Sequence, residues 1–194
     1  MNNLNKKFKH LNAVISSSNF LKKESLGGEI PFFIAAYEAE QELECREEII
    51  LLKRKLENNG IEVLELNLYD LTCEILDKKG GVERMFRVEK ARNKEKFLRA
   101  LQSSLNIHQV LMPLIKEKIE ASNAKVYFLT GIGLVFPFIR SHTVLNNLQN
   151  IAKEAPTVAF FPGEYNGHSL NLFSKLKDDN YYRAFNIFKI EAKI

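Results

Sequence analysis

The spacing of apolar residues changes along the chain, and each change marks an element. Within residues 1–28, Phe8, Leu11, Val14 and Ile15 recur at helical spacing, which predicts an amphipathic helix over Asn3–Leu21, stopped by Gly27-Gly28. The uncharged run Pro31–Tyr37, PFFIAAY, suits a strand buried on both faces. From Glu40 to Asn59, Cys45, Ile49, Leu52 and Leu56 fall on one stripe, with Glu, Lys and Arg over much of the rest. Asn58-Asn59-Gly60 supplies the helix stop, and Ile61–Asn67 reads as a second strand. Strand, helix and strand joined by short turns predict a parallel crossover.

Residues 68–124 read as a helical insertion. Leu71, Ile75 and Leu76 form one apolar face, broken at Gly80-Gly81. Phe97, Leu98 and Leu101 mark a second helix, and Val110, Leu111, Leu114, Ile115 and Ile119 a third. Pro113 predicts a fresh start or a bend, because proline breaks a helix interior but suits its first turn. Lys125–Leu129 is the third predicted strand. A helix over His142–Lys153 follows, with Ser141 as its cap and Leu145, Leu148, Ile151 and Ala152 turned inward. Thr157–Phe161 is the fourth strand, Leu170–Leu176 a short helix, and Tyr182–Ile190 a final strand suited to a sheet edge. The expected product is one α/β domain over 1–194, with three α/β/α layers. Its mostly parallel sheet is P-loop-NTPase-like or Rossmann-like and lacks a phosphate loop.

Composition narrows the class only a little. At 194 residues, 45% hydrophobic and 27% charged, the chain can bury a core without metal or disulfide staples. Its net charge is +4, with Lys6, Lys7, Lys9, Lys22 and Lys23 gathered near the start. A solvated helix face accounts for them; a patch for nucleic acid or another anionic partner is the alternative. Cys45 and Cys73 have no metal spacing and form no disulfide framework, so a reducing cytoplasm is the expected compartment. No apolar run approaches the ~18 residues of a membrane span.

The chemistry is sparse. After the first strand a P-loop would need G-x-x-x-x-G-K-[ST], whose amides and lysine surround phosphate. Tyr37-Glu38-Ala39-Glu40-Gln41-Glu42 stands there instead and repels phosphate. The third strand ends in Thr130-Gly131, where a magnesium-binding acid would be expected, and Gly131-Ile132-Gly133 lacks the last glycine of a dinucleotide fingerprint. Arg140-Ser141-His142 opens a helix, where amides and the positive dipole end favour an anion. The simpler account makes Ser141 a cap and Arg140 the partner of a structural acid. Asn146 and Asn147 suit a hydrogen-bonded strut between elements, or else a binding contact. Pro162, Gly163, Glu164 and Tyr165 form a second candidate loop, with His168 beyond it. Together with His142, Glu38 and Asp70 these residues have no spacing that demands a metal or acid/base cluster, and Ser141 and Ser169 lack the strained elbow of an acyl-transfer serine. No catalytic residue, metal or cofactor is expected.

Three words of the sequence carry a resemblance: LTGIGLVFPFIRSHTVLNNLQ (Leu129–Gln149), PTVAFFPGEYNGHSLNLF (Pro156–Phe173) and DDNYYRAFNI (Asp178–Ile187). With GIEVLELNLYDL (Gly60–Leu71) and the opening PFFIAAY, they resemble the BrxB family of bacterial BREX (bacteriophage exclusion) systems over almost the whole chain after Gly27. The turn after Tyr37 departs from the family pattern in having Ala36 and Glu38 where a proline or aspartate is expected. The resemblance implies a core component of a phage-defence operon, needed for phage restriction and for host DNA methylation. It implies PglZ, the alkaline-phosphatase-like subunit, as direct partner, with a methyltransferase and an ATPase in the wider assembly. The family has no established catalytic residues to carry over. The expected role is a non-enzymatic adaptor using Tyr37, Arg140, His142 and the Pro162–Tyr165 loop. The alternatives are a phosphate-ligand enzyme or sensor at Arg140, Ser141 and His142, and a DNA-binding module.

Overall fold

A computed structural model describes residues 3–23, 32–178 and 182–191. Five parallel strands form its sheet: β1 (Phe32–Tyr37), β2 (Val63–Asn67), β3 (Val126–Thr130), β4 (Thr157–Tyr165) and, at the far edge, the two-residue β7 (Phe185–Asn186). Their order is β2-β3-β4-β1-β7. This is not the 3-2-1-4-5-6 order of dinucleotide-binding sheets, since β1 has β4 and β7 as neighbours and β2 lies at the opposite edge. β4 then runs on past the parallel region, and its end pairs antiparallel with β5 (Leu170–Leu172), which pairs with β6 (Leu176–Asp178).

Alternation along each strand divides the core in two. Phe33, Ala35 and Tyr37 of β1, Val126 and Phe128 of β3, and Val158 and Phe160 of β4 face α1 (Asn3–Ile15) and α3 (Glu42–Asn58). Phe32, Ile34, Tyr127, Leu129, Ala159 and Phe161 face the other layer. That layer holds α4 (Leu68–Lys78), α7 (Met112–Glu120) and α8 (Ser141–Ile151). Strands covered on both faces read as continuous apolar runs, which is why PFFIAAY and VAFF are legible as strands. The stripe Cys45-Ile49-Leu52-Leu56 is buried against the first face as the spacing predicts. Among the described residues no helix is long and apolar enough to cross a membrane.

Several expectations need correction. The first helix is two, α1 and the short α2 (Ser18–Leu21), parted at Ser16-Ser17, where the Ser17 hydroxyl donates to the Val14 carbonyl. Gly27-Gly28 lies outside the described residues, as does Asp179. Between β2 and β3 there are four α-helices rather than three. α5 (Gly81–Ala91) and α6 (Lys94–Ser104) form a hairpin between α4 and α7, and a π-helical turn at Ile107–Leu111 leads into α7, where Pro113 occupies the first turn. α5 escapes a reading by periodicity because it buries Met85 alone. The stretch Leu170–Leu176 is no helix but part of a β-hairpin. Phe173 and Ser174 take positive φ of 56° and 54° at its bend, a conformation that no helix accommodates. The final strand shrinks to Phe185–Asn186, because Asn186 caps a 3-10 turn over Ile187–Lys189 by accepting from the Phe188 amide.

Candidate functional site

Because the strands run parallel, β1 to β4 all present their carboxyl ends on one edge, the place where such sheets bind ligands and partners. Two hollows open there. The larger, about 160 Å³, lies on the side covered by α3. Tyr37 from β1, Glu65 and Asn67 from β2, Thr130 and Gly131 from β3, and Glu42 and Arg46 from α3 line it.

Several polar groups of this hollow engage one another, while the side chains of Arg46 and Asp70 add a further charge of each sign to its lining. The Tyr37 hydroxyl donates to Glu42 Oε2 at 2.6 Å, and the Thr130 hydroxyl donates to Glu65 Oε1 at 2.9 Å. Lys53 Nζ stands 3.8 Å from the other Glu65 oxygen. Asn67 Oδ1 accepts from the amides of Tyr69 and Asp70, which caps α4. Gly131 sits beside that cap at φ +70°, and a Cβ there would come within 2.5 Å of Asn67 Oδ1. Burial, then the bond to Glu42, pushes the Tyr37 phenol well above its ordinary range, so it keeps its proton. Burial, then the charge of Glu42, likewise raises the Cys45 thiol beneath it, which makes that sulfur a packing atom and not a nucleophile. These pairings tie β1 to α3 and β3 to β2 at this edge.

Tyr37→Phe is accordingly expected to remove one hydrogen bond from a carboxylate that water still reaches. Urea denaturation should show a loss of about 1 kcal/mol. A loss above about 3 kcal/mol would mean that the hydroxyl supports more of the edge than this one contact.

Several large apolar side chains are exposed at or near the hollow. Ile50 and Leu134 line it at 42% and 43% exposure, Tyr69 follows the Asn67 cap at 46%, and Leu43 stands one heptad before Ile50 at 77%. These four lie off the buried stripe of α3 and outside both cores, so folding does not account for them.

The second hollow, about 50 Å³, lies on the α8 side of the same edge. Arg140, Ser141 and His142 come together there as the sequence predicts, facing Phe136, Phe161, Leu170 and Leu172. Ser141 is not the cap. It is the first residue of α8; Arg140 holds the cap position, its side chain makes no capping hydrogen bond, and its carbonyl accepts from the Thr143 and Val144 amides. Asn147 is no strut between elements, because its amide donates to Thr143 O within the same helix at 2.7 Å; Asn146 is exposed beside it. Gln149, which the sequence reading passed over, is the residue that bridges, donating to Arg183 O at 2.9 Å.

Pro162–Tyr165 is not a loop but the end of β4, held by register pairs from Gly163↔Leu172 to Tyr165↔Leu170. Pro162, Gly163 and Tyr165 are buried, and the Tyr165 hydroxyl donates to Ala184 O at 2.7 Å. Of this group only Glu164 reaches the surface, beside Asn171 Nδ2 at 3.3 Å. Tyr37 and the Arg140 cluster therefore occupy separate hollows, bridged by the β3–α8 connection, which turns Leu134 to one and Phe136 to the other. Among the described residues no group of three or more His, Cys, Asp or Glu is placed to hold a metal ion.

The residues missed by sequence reasoning, Glu42, Arg46, Glu65 and Ile50, had two signals. Glu65 stands between Leu64 and Leu66 within β2, on the same face as Val63, and Leu43 and Ile50 sit off the apolar stripe of their helix.

Comparison with known proteins returns one description throughout. A family described as "BREX protein BrxB" matches residues 64–187. A BREX protein BrxB of Bacillus cereus (strain H3081.97) is 35% identical over 191 residues, which cover 96% of this chain and 98% of that protein. A BREX protein BrxB of Escherichia coli O9:H4 (strain HS) is 31% identical over 173 residues, 89% of this chain and 86% of that one. No solved structure matches the chain.

Proposed function

Because the chain belongs to the BrxB family of BREX proteins, we propose that it serves a BREX system as a non-enzymatic adaptor. It holds the alkaline-phosphatase-like PglZ against the carboxyl edge of its sheet, and through that contact supports phage restriction and host DNA methylation by the wider assembly.

The observation that carries this reading is the exposure of Ile50 and Leu134 at a hollow where Tyr37 and Thr130 are already bonded to Glu42 and Glu65, with Leu43 on α3 and Tyr69 on α4 also exposed. Apolar residues at the centre of a patch with a polar rim are what a protein interface uses. The same edge is closed to a nucleotide. β1 runs through Glu38 into a 3-10 turn at Ala39–Gln41 and then into Glu42 and Glu44 in the first turn of α3. Carboxylates there repel phosphate at the helix end that a phosphate loop would use. At the other hollow, where Arg140, Ser141, His142 and Lys177 meet apolar side chains, 50 Å³ falls far short of the ~300 Å³ at which ligand sites begin.

The test is a pull-down of the tagged chain from cells carrying the whole operon, read by mass spectrometry. PglZ is expected to co-purify in stoichiometric amount. The double variant Ile50→Asp/Leu134→Asp should retain the circular dichroism of the parent and lose the partner, whereas His142→Ala should keep it. Failure of any BREX protein to co-purify would sink the adaptor reading. Retention by the double variant would move the contact off this face.

A further inference from the structure

The α5–α6 hairpin plays no part in either hollow, and its composition is unlike the rest of the chain. Over Gly81–Ser104 it carries seven basic side chains against three acidic ones, an excess as large as the +4 of the entire protein. The fold does not ask for that charge. α5 buries only Met85 and α6 buries no residue, so the hairpin stands out from the body, attached by a few apolar contacts.

The two helices enclose a cleft of about 460 Å³. Arg84, Arg92, Lys96 and Arg99 line it with Ser103 and Ser104, and no carboxylate does. Arg84 Nη1 donates to Lys79 O at 2.7 Å, which fixes one guanidinium at the rim. The ion pairs among the described residues lie elsewhere, at Glu65, Glu74 and Glu120, and none involves these four cations. Four like charges in one cleft repel one another, and an anion that enters relieves the repulsion.

We propose that this cleft binds the phosphate backbone of a nucleic acid. Three of the four cations are arginines, whose planar forks match phosphate oxygens in pairs. The serine hydroxyls add donors. Length favours a polymer over a single phosphate: α6, with 11 residues, runs about 16 Å, roughly the span of five phosphates at 3.4 Å per strand. Arg87, Lys90 and Lys94, all exposed on the same hairpin, continue the positive field beyond the cleft. The lysines near the start are best accounted for as a solvated helix face, with such binding as the alternative; the cleft concentrates arginine where α1 presents scattered lysines. The proposal is independent of the docking face at the sheet edge.

Fluorescence anisotropy of a labelled oligonucleotide of about 20 nucleotides tests it on the isolated full chain, in about 50 mM salt and upwards. The parent should bind, more weakly as salt rises. Arg92→Glu/Arg99→Glu should raise Kd at least tenfold and flatten the plot of log K against log salt by nearly two, about 0.9 per lost phosphate contact on duplex. Arg92→Gln/Arg99→Gln should follow in the same direction by less. Lys6→Glu/Lys9→Glu, with the same change in net charge, should stay within about twofold of the parent. Absence of binding at the lowest salt would overturn the proposal, and so would equal losses in the two charge-reversed variants. Displacement by oligoglutamate as effective as by unlabelled oligonucleotide would assign the cleft to an acidic protein instead.

Discussion

Phe128→Ala is expected to cost about 4 kcal/mol, a large share of the 5–15 kcal/mol that holds a domain of this size. Phe128 is fully buried on β3, with strands paired on both sides. Its ring meets Phe160 edge to face at 5.1 Å, and Phe160 in turn stacks on Phe8 of α1 at 6.1 Å. The three rings form one continuous contact from the middle of the sheet to the covering helix. Truncation leaves a cavity that paired strands cannot collapse into, so both the transfer and the cavity contributions are felt. The urea midpoint should fall while the slope stays that of the parent, since the area exposed on unfolding hardly changes. In thermal unfolding the same loss corresponds to a drop of roughly 8–16 °C. A loss below about 1.5 kcal/mol would mean that the ring is not at the centre of this packing.

Such a core was visible in the sequence because burial on two faces leaves a mark. Phe32–Ala35 and Val158–Phe161 are uncharged runs bounded by turns, and Cys45, Ile49, Leu52 and Leu56 repeat at a helical period against one of those faces. Where an element is anchored weakly, the mark fades. α5 offers Val82, Met85, Phe86 and Val88, of which only Met85 is buried, so its periodicity reports no core. The β5–β6 hairpin misleads for another reason. Leu170, Leu172, Phe173 and Leu176 satisfy a helical spacing as well as an extended one, and the bend at Phe173 and Ser174 uses positive φ without glycine or asparagine to announce it.

The candidate site was legible in half. Arg140, Ser141 and His142 are adjacent in sequence and could be found as a word. The larger hollow is assembled from residues 37–50, 65–70 and 130–134 with Phe160, four segments that only the parallel order β2-β3-β4-β1 brings to one edge. Thr130 illustrates the difference. Read alone, it marks the absence of a metal-binding acid at the end of β3. In the fold it donates to Glu65 on the neighbouring strand, so an acid does stand at this position, already committed to a hydroxyl and a lysine.

Gly163→Ala carries the other large expected effect, and it reaches the site through the backbone. Gly163 lies at φ +141°, where side chains are strained, and a Cβ there would run into Asn171 O and come within 2.9 Å of Phe173 N. Both are main-chain atoms of the paired hairpin, so no rotamer change relieves the overlap. β5 has to move away from β4, and the Phe173 amide loses the Pro162 carbonyl it holds at 2.8 Å. Strain and lost pairing together should cost about 3 kcal/mol. The damage should be local at first. Hydrogen exchange is expected to quicken at Phe173, and at Tyr182, whose amide donates to His168 O, while the amides of β1 to β3 keep their relative protection. Leu170 and Leu172 wall the second hollow, so its floor should loosen with them. The Asn67–Gly131 corner of the larger hollow has no contact with this hairpin through Gly163, and a docking face centred on Ile50 and Leu134 should therefore survive the substitution at temperatures below the lowered midpoint. Loss of partner capture by a folded Gly163→Ala protein would shift the contact from the α3 side of the edge to the α8 side, where Arg140 and Phe136 meet the displaced strand.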